Sequence, residues 1–160
     1  MYLLDTNILS QGAPTKEPGL AFDDLAGWLK AATAHLWISV VTTGEIADGV
    51  ERSTLKGEHR KAARLRTWLA AVEHLYGSRI LPLDRDAAHL AGLLSARARM
   101  AGASPGFADA AIAATAETRG LRLMTRNAKD FAPMGIAFIN PYEDGLPALP
   151  DRPGGSPRGS

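Results

Sequence analysis

The stretch that most constrains this chain is its first, Met1-Tyr2-Leu3-Leu4-Asp5-Thr6-Asn7. Tyr2 to Leu4 form a short apolar run that suits a strand buried on both faces of a parallel sheet. The run breaks off into three polar side chains. Ligands of open α/β sheets bind just beyond the carboxyl ends of the strands. A carboxylate fixed there by a rigid strand can hold a metal or the counter-ion of a phosphate. The plainer reading is that Asp5 caps a helix beginning near Ile8.

The rest of the chain alternates in the same sense. Ser10 to Gly19 reads as a loop, with Pro14, Pro18 and two glycines. Leu20 to Ala34 has helical spacing, with Asp23 and Asp24 in its first turn. Leu36 to Val41 is a second buried strand ending in Thr42, and Thr42-Thr43-Gly44-Glu45 has the spacing of a capping box. Gly57 separates this helix from the next, Glu58 to Tyr76, whose apolar face runs through Ala62, Leu65, Trp68, Leu69, Val72 and Leu75. Ile80 to Leu83 is a third strand, placed at an edge or a strand end by Pro82. Asp84 to Met100 is helical. Ser104-Pro105 reads as an N-cap and first helical residue, opening a helix to Arg119 that Gly120 closes. Leu121 to Thr125 and Ile136 to Ile139 are the fourth and fifth strands, with a loop or single helical turn from Arg126 to Gly135. The pattern predicts an α/β fold: a mainly parallel five-stranded sheet flanked by helices on both sides.

One domain is expected from 160 residues. It spans residues 1–142, followed by a Pro/Gly-rich tail, 143–160, disordered at its end. Without cysteine, disulfides and thiolate metal sites are excluded. No basic and apolar leader opens the chain, and no apolar stretch approaches the ~20 residues that span a bilayer. A cytoplasmic protein without membrane contact is the expectation. The four histidines show no metal-ligand spacing.

Four acids recur next to a strand end or at a helix start: Asp5, Glu45, Asp109 and Asp130. Singly, each has an ordinary explanation. Glu45 could complete the capping box, Asp109 could favour a helix dipole, and Asp130 could be a loop acid. Jointly, on a parallel sheet, they would project toward one edge. Like charges gathered there need protons or cations. Mg²⁺ takes a few carboxylates plus water, and ions so held can cleave phosphodiesters.

These segments resemble the PIN-domain family, and within it the VapC toxins. The resemblance rests on Asp5-Thr6-Asn7 after Tyr2-Leu3-Leu4, and on Ile38-Ser39-Val40-Val41-Thr42 leading to Glu45. It continues in Asp109-Ala110-Ala111-Ile112-Ala113, in Thr125-Arg126-Asn127 with Asp130-Phe131, and in the closing Asn140-Pro141-Tyr142. The resemblance implies a Mg²⁺- or Mn²⁺-dependent endoribonuclease, a homodimer held inactive by a VapB-like antitoxin. It assigns Asp5 and Asp109 as main metal ligands with Glu45 completing the acidic triad. Either Asn127 or Asp130 takes the fourth position. Thr6, Asn7 and Thr125 would be supporting polar groups. Arg126 and Lys129, beside the acidic motif, are the candidates for RNA phosphates. Arg119, Arg122 and the basic stretch Arg52 to Arg66 are weaker ones, the latter having the pattern of a solvated helix face. Trp28, Trp37 and Trp68 sit in apolar patterns. The helices carrying Trp28 and Trp68 are candidates for a dimer face or antitoxin groove.

Two other classes fit parts of the pattern. Haloacid-dehalogenase-like phosphatases also place an Asp after a first strand, but need a second Asp where this chain has Asn7. A nucleic-acid- or antitoxin-binding PIN module without catalysis would share the fold but not need all four acids.

Overall fold

A computed structural model describes residues 1–15 and 22–149; expectations for Lys16 to Ala21 and for the tail from Pro150 lie outside the described residues. In chain order the described elements are β1 (Tyr2–Leu4), α1 (Thr6–Leu9), α2 (Phe22–Ala31), β2 (Leu36–Ser39), α3 (Val40–Leu55), α4 (His59–Tyr76), β3 (Ile80–Leu81), α5 (Arg85–Met100), α6 (Phe107–Thr118), β4 (Arg122–Met124), α7 (Ala128–Phe131) and β5 (Phe138–Ile139). Single 3₁₀ turns extend several of these, among them Ser10–Gly12, Thr33–His35 and Ala132–Met134.

All five strands pair in parallel, in the order β3-β2-β1-β4-β5. The first strand is therefore central. The chain builds outward from it on one side, then returns to build on the other, so the order reverses between β1 and β4. That reversal opens a crevice at the carboxyl edge, the usual ligand position in such sheets. Register fixes what meets there: Leu4 lies opposite Ile38 on β2 and Met124 on β4.

The sheet is buried on both faces, and successive residues alternate between them. Leu3 and Leu123 point into a core shared with α5 and α6. Leu4, Ile38 and Met124 point into a second core formed with α2 and α4. Helix α6 is buried almost all round, from Ala110 to Ala116. Its alanines let it lie close to the sheet and to α5, as a wholly apolar helix must. Helix α4 is amphipathic, burying Ala62, Val72 and Tyr76.

Several boundaries differ from the sequence pattern, for local reasons. Helix α3 begins at Val40, because Ser39 caps it by accepting from the Val41 N–H at 3.2 Å. Thr42 and Glu45 are thus inside the helix and form no capping box. Helix α6 begins at Phe107 with Gly106 at its N-cap, so Ser104 and Pro105 are not its first residues. Helix α1 begins at Thr6, and Asp5, though in the N-cap position, makes no side-chain capping bond. Strand β3 stops before Pro82 and lies at the sheet's edge. Leu75 is 54% exposed, and Tyr76 takes its place inside. Trp28 is not on a free face. It is a core residue, edge-on to Tyr2 at 5.5 Å, and its Nε1 donates to the Pro147 carbonyl at 2.7 Å. Residues 146 and 147 thereby lie against the domain, Leu146 packing on the second core.

Candidate active site

Asp5 is the first residue beyond β1 and is only 3% exposed. Its Oδ2 accepts from Thr125 Oγ1 at 2.7 Å and from Asn7 Nδ2 at 2.5 Å. Thr125 follows β4, the neighbouring strand, and is fully buried. Its hydroxyl also accepts from Asn7 Nδ2 at 3.2 Å and from the Asn127 N–H at 2.9 Å. Asn7 completes the knot by accepting at Oδ1 from the Arg126 N–H at 3.0 Å. One amide and one hydroxyl thus lock the loops after β1 and β4 together and aim a carboxylate between them.

On the other side of β1, the Thr6 hydroxyl lies 3.2 Å from that of Thr42 and hydrogen-bonds Glu45 Oε2. Thr42 and Glu45 are three residues apart on α3 and so share a face. Asp109 stands in the first turn of α6. On α7, Asp130 accepts from Asn127 Nδ2.

The electrostatics link these acids. Burial is the main cause that pushes the Asp5 carboxyl up, from 3.8 to about 6. The Thr125 hydroxyl opposes it, and the charges of Asp109 and then Glu45 add to it. Asp109 is also raised, by burial first and then by Asp130 and Glu45. The charges of Glu45, Asp109 and Asp130 thus each reach one or both of the raised carboxyls, Asp5 and Asp109, and among the described residues none of the four acids is in an ion pair.

The site's donors are hard oxygens, the type that suits Mg²⁺ or Mn²⁺. Among the described residues no three His, Cys, Asp or Glu side chains come together as a group that could hold a metal ion. Mg²⁺ does not need one, since it keeps several waters and uses one or two carboxylates. The residues present fit such an ion: Oδ1 of Asp5 accepts from no side chain among the described residues, and the raised carboxyls would be relieved by a cation.

Not every candidate reaches the crevice. Arg126 and Lys129 are exposed beside it, the Arg126 guanidinium lying 4.8 Å over the Tyr142 ring. Arg119 instead pairs with Asp84 at 2.7 Å. Arg122 sits at the amino end of β4, opposite Tyr2. The basic stretch belongs to α3 and α4, where Arg52, Lys61 and Arg66 pair with Asp48, Glu58 and Glu51. Two residues of the site gave no separate sequence signal. Thr42 passed for a cap, although its spacing from Glu45 placed both on one helix face. Tyr142 was legible only as part of a closing motif.

A parallel sheet with its switch point at β1, lined there by acids from four segments, defines a class. Residues 2–135 match the PIN domain, and the chain belongs to the PIN-domain family. Within it the similarity is to VapC-type toxins. The chain is 33% identical over 144 residues to the VapC ribonuclease Y4jK of Sinorhizobium fredii, covering 89% of this chain and 99% of that one. The crystal structure of FitAcB from Neisseria gonorrhoeae superposes with a TM-score of 0.74 at 29% identity, covering 89% and 99%. The DNA-bound VapBC of Salmonella typhimurium gives 0.63 at 28% identity, covering 87% and 96%.

Proposed function

We propose that this protein is a metal-dependent endoribonuclease, the toxin of a VapBC-like toxin–antitoxin pair, hydrolysing RNA phosphodiester bonds in the cytoplasm. The observation that most supports this is Asp5, a buried carboxylate raised to about 6, mainly by burial and further by the charges of Asp109 and Glu45. Burying acids together costs stability unless a cation answers them.

Asp5 and Asp109 would be the main holders of Mg²⁺ or Mn²⁺, with Glu45 and Asp130 completing the set and Asn127 orienting Asp130. When bound, such an ion supplies Lewis-acid stabilisation and an activated water. The chain's own groups do the positioning. Thr125 and Asn7 fix one oxygen of Asp5 and make no bond to the other. Thr6 fixes Glu45. Arg126 and Lys129 draw phosphates to an otherwise negative mouth. The Asn at position 7 serves this hydrogen-bond network, which a phosphatase's second Asp would not.

The partner reading is a VapB-like antitoxin bound to a homodimer; the similar Klebsiella pneumoniae structure, at 28% identity, is a toxin–antitoxin complex. A cleft of about 460 Å³ between Gly12, Pro14 and the Ala63, Arg64, Thr67 and Trp68 side of α4 supports a docking segment there. No helix among the described residues is long and apolar enough to cross a membrane.

The test is cleavage of single-stranded RNA by the purified protein with Mg²⁺ or Mn²⁺, compared with Asp5→Asn. Metal-dependent cleavage lost in the variant is expected. Undiminished cleavage in excess EDTA refutes the reading.

A further inference from the structure

Arg126 differs from the other surface cations near the crevice. Like Lys129 it makes no ion pair among the described residues, but it is held at both ends. Its backbone N–H donates to Asn7 Oδ1 at 3.0 Å, and Asn7 bonds Asp5 at 2.5 Å. A single side chain therefore ties its backbone to the carboxylate of the crevice. Its guanidinium carbon lies 4.8 Å above the centre of the Tyr142 ring. Tyr142 is itself anchored, its N–H donating to Asn140 Oδ1 at 3.2 Å. Asn140 is 3% exposed, and its own N–H donates to Asp144 Oδ2 at 2.8 Å.

A guanidinium has two distinct surfaces. Its face stacks on aromatic rings, and its edge carries N–H groups in a fork that matches two phosphate oxygens. Here the face is occupied by Tyr142 and the edge is unspent. A long side chain ordinarily loses rotamer freedom when it binds; stacking on Tyr142 reduces what this one has left to lose.

We infer that Arg126 and Tyr142 form a clamp for a backbone phosphate of single-stranded RNA, neighbouring the scissile one. Arg126 donates the bonds, and Tyr142 is the positioning residue that holds its guanidinium. The inference rests on the nuclease reading of the same crevice and adds a residue to it. Lys129, an unstacked ammonium on the adjoining turn, supplies charge without this geometry.

The test separates the two readings. Binding of a labelled single-stranded RNA oligonucleotide is measured across a salt series with the full-length Asp5→Asn protein, and cleavage kinetics with the otherwise wild-type protein. Arg126→Ala removes one phosphate contact, so the slope of log K against log salt falls in magnitude by about 0.7, and KM rises with kcat nearly kept. Tyr142→Ala keeps the charge, so the slope holds while KM rises, and Tyr142→Phe restores the wild-type KM. In an Arg126→Ala background, Tyr142→Ala has no further effect. An unchanged salt slope in Arg126→Ala overturns the clamp, as does a Tyr142→Ala effect that persists without Arg126. Failure of the wild-type protein to cleave any RNA counts against the nuclease reading, while the binding slopes still decide the clamp.

Discussion

Replacing Asp5 by Asn should stabilise the metal-free protein while abolishing its activity. The Asp5 carboxyl is raised from 3.8 to about 6, mainly by burial. Each tenfold in the proton equilibrium is about 1.4 kcal/mol, so the ionised form costs the folded state roughly 3 kcal/mol relative to the neutral one. A folded-state value above the unfolded one means that the folded state binds the proton more tightly. Below about pH 4 the group is neutral in both states and nothing is lost. Between about pH 4 and 6 stability falls as pH rises, and above 6 the full cost stands. Asparagine copies the neutral carboxyl in shape and can still accept from Thr125 and Asn7. Asp5→Asn and wild type, unfolded by urea in EDTA, should therefore match near pH 4 and diverge by about 2–3 kcal/mol in favour of the variant at pH 7.5. Saturating Mg²⁺ should then stabilise the wild type by mass action and leave the variant unmoved. A variant less stable than wild type at pH 7.5 in EDTA, or a gap that widens toward acid, would refute the reasoning.

Asp109→Asn should abolish cleavage and leave metal-free stability equal or higher in the same urea assay, because its carboxyl too is raised by burial and by its acidic neighbours. Were Asp109 only a helix-dipole residue, the change would cost a few tenths of a kcal/mol, roughly, and spare activity. Asp130→Asn should raise the Mg²⁺ concentration needed for half-maximal cleavage, with Asn127→Ala milder because it removes only a donor to Asp130; a normal Mg²⁺ titration in Asp130→Asn would remove that acid from the ligand set. Thr125→Val should cost about 1–3 kcal/mol in thermal or urea unfolding, since it deletes a buried hydroxyl that donates to Asp5 and accepts from two other groups.

The strands were legible because a parallel sheet buried on both faces needs apolar runs; Tyr2-Leu3-Leu4 and Leu36-Trp37-Ile38 are continuous ones, and Leu121 to Met124 is one interrupted by the exposed Arg122. Helix starts were less legible. The sequence pointed to Thr42 as the cap of α3, but Ser39 takes that place, where β2 ends in register with Leu81 of β3. Ser104-Pro105 carried a good local signal, yet α6 starts at Phe107 with Gly106 as its N-cap. The acids were visible one at a time, but what binds them to one another was not. Asn7 to Arg126 and Thr125 to Asp5 are contacts across more than a hundred residues, created by the pairing of β1 with β4. Trp28 shows the converse case. Its apolar surroundings were plain, but its burial depends on a carbonyl from Pro147, in a stretch whose composition alone reads as a tail.

The manner in which the acids are held bears on what the crevice is for. Asp5 is fixed by a threonine hydroxyl and a carboxamide, Glu45 by a threonine hydroxyl, and Asp130 by a carboxamide. The five ion pairs among the described residues use Asp48, Glu51, Glu58, Asp84 and Asp86, on helices or at their N-caps, and none of the four crevice acids. A lysine or arginine would orient these carboxylates as well, but would also neutralise them. A neutral donor orients a carboxylate and leaves its charge in place. The cost appears in the raised carboxyls of Asp5 and Asp109. A fold stabilised for its own sake would pair such charges or replace them with apolar groups. An array of oriented, uncompensated carboxylates at a switch point, with a guanidinium stacked at its rim, instead suits a site that takes its positive charge from outside and presents it to a phosphate.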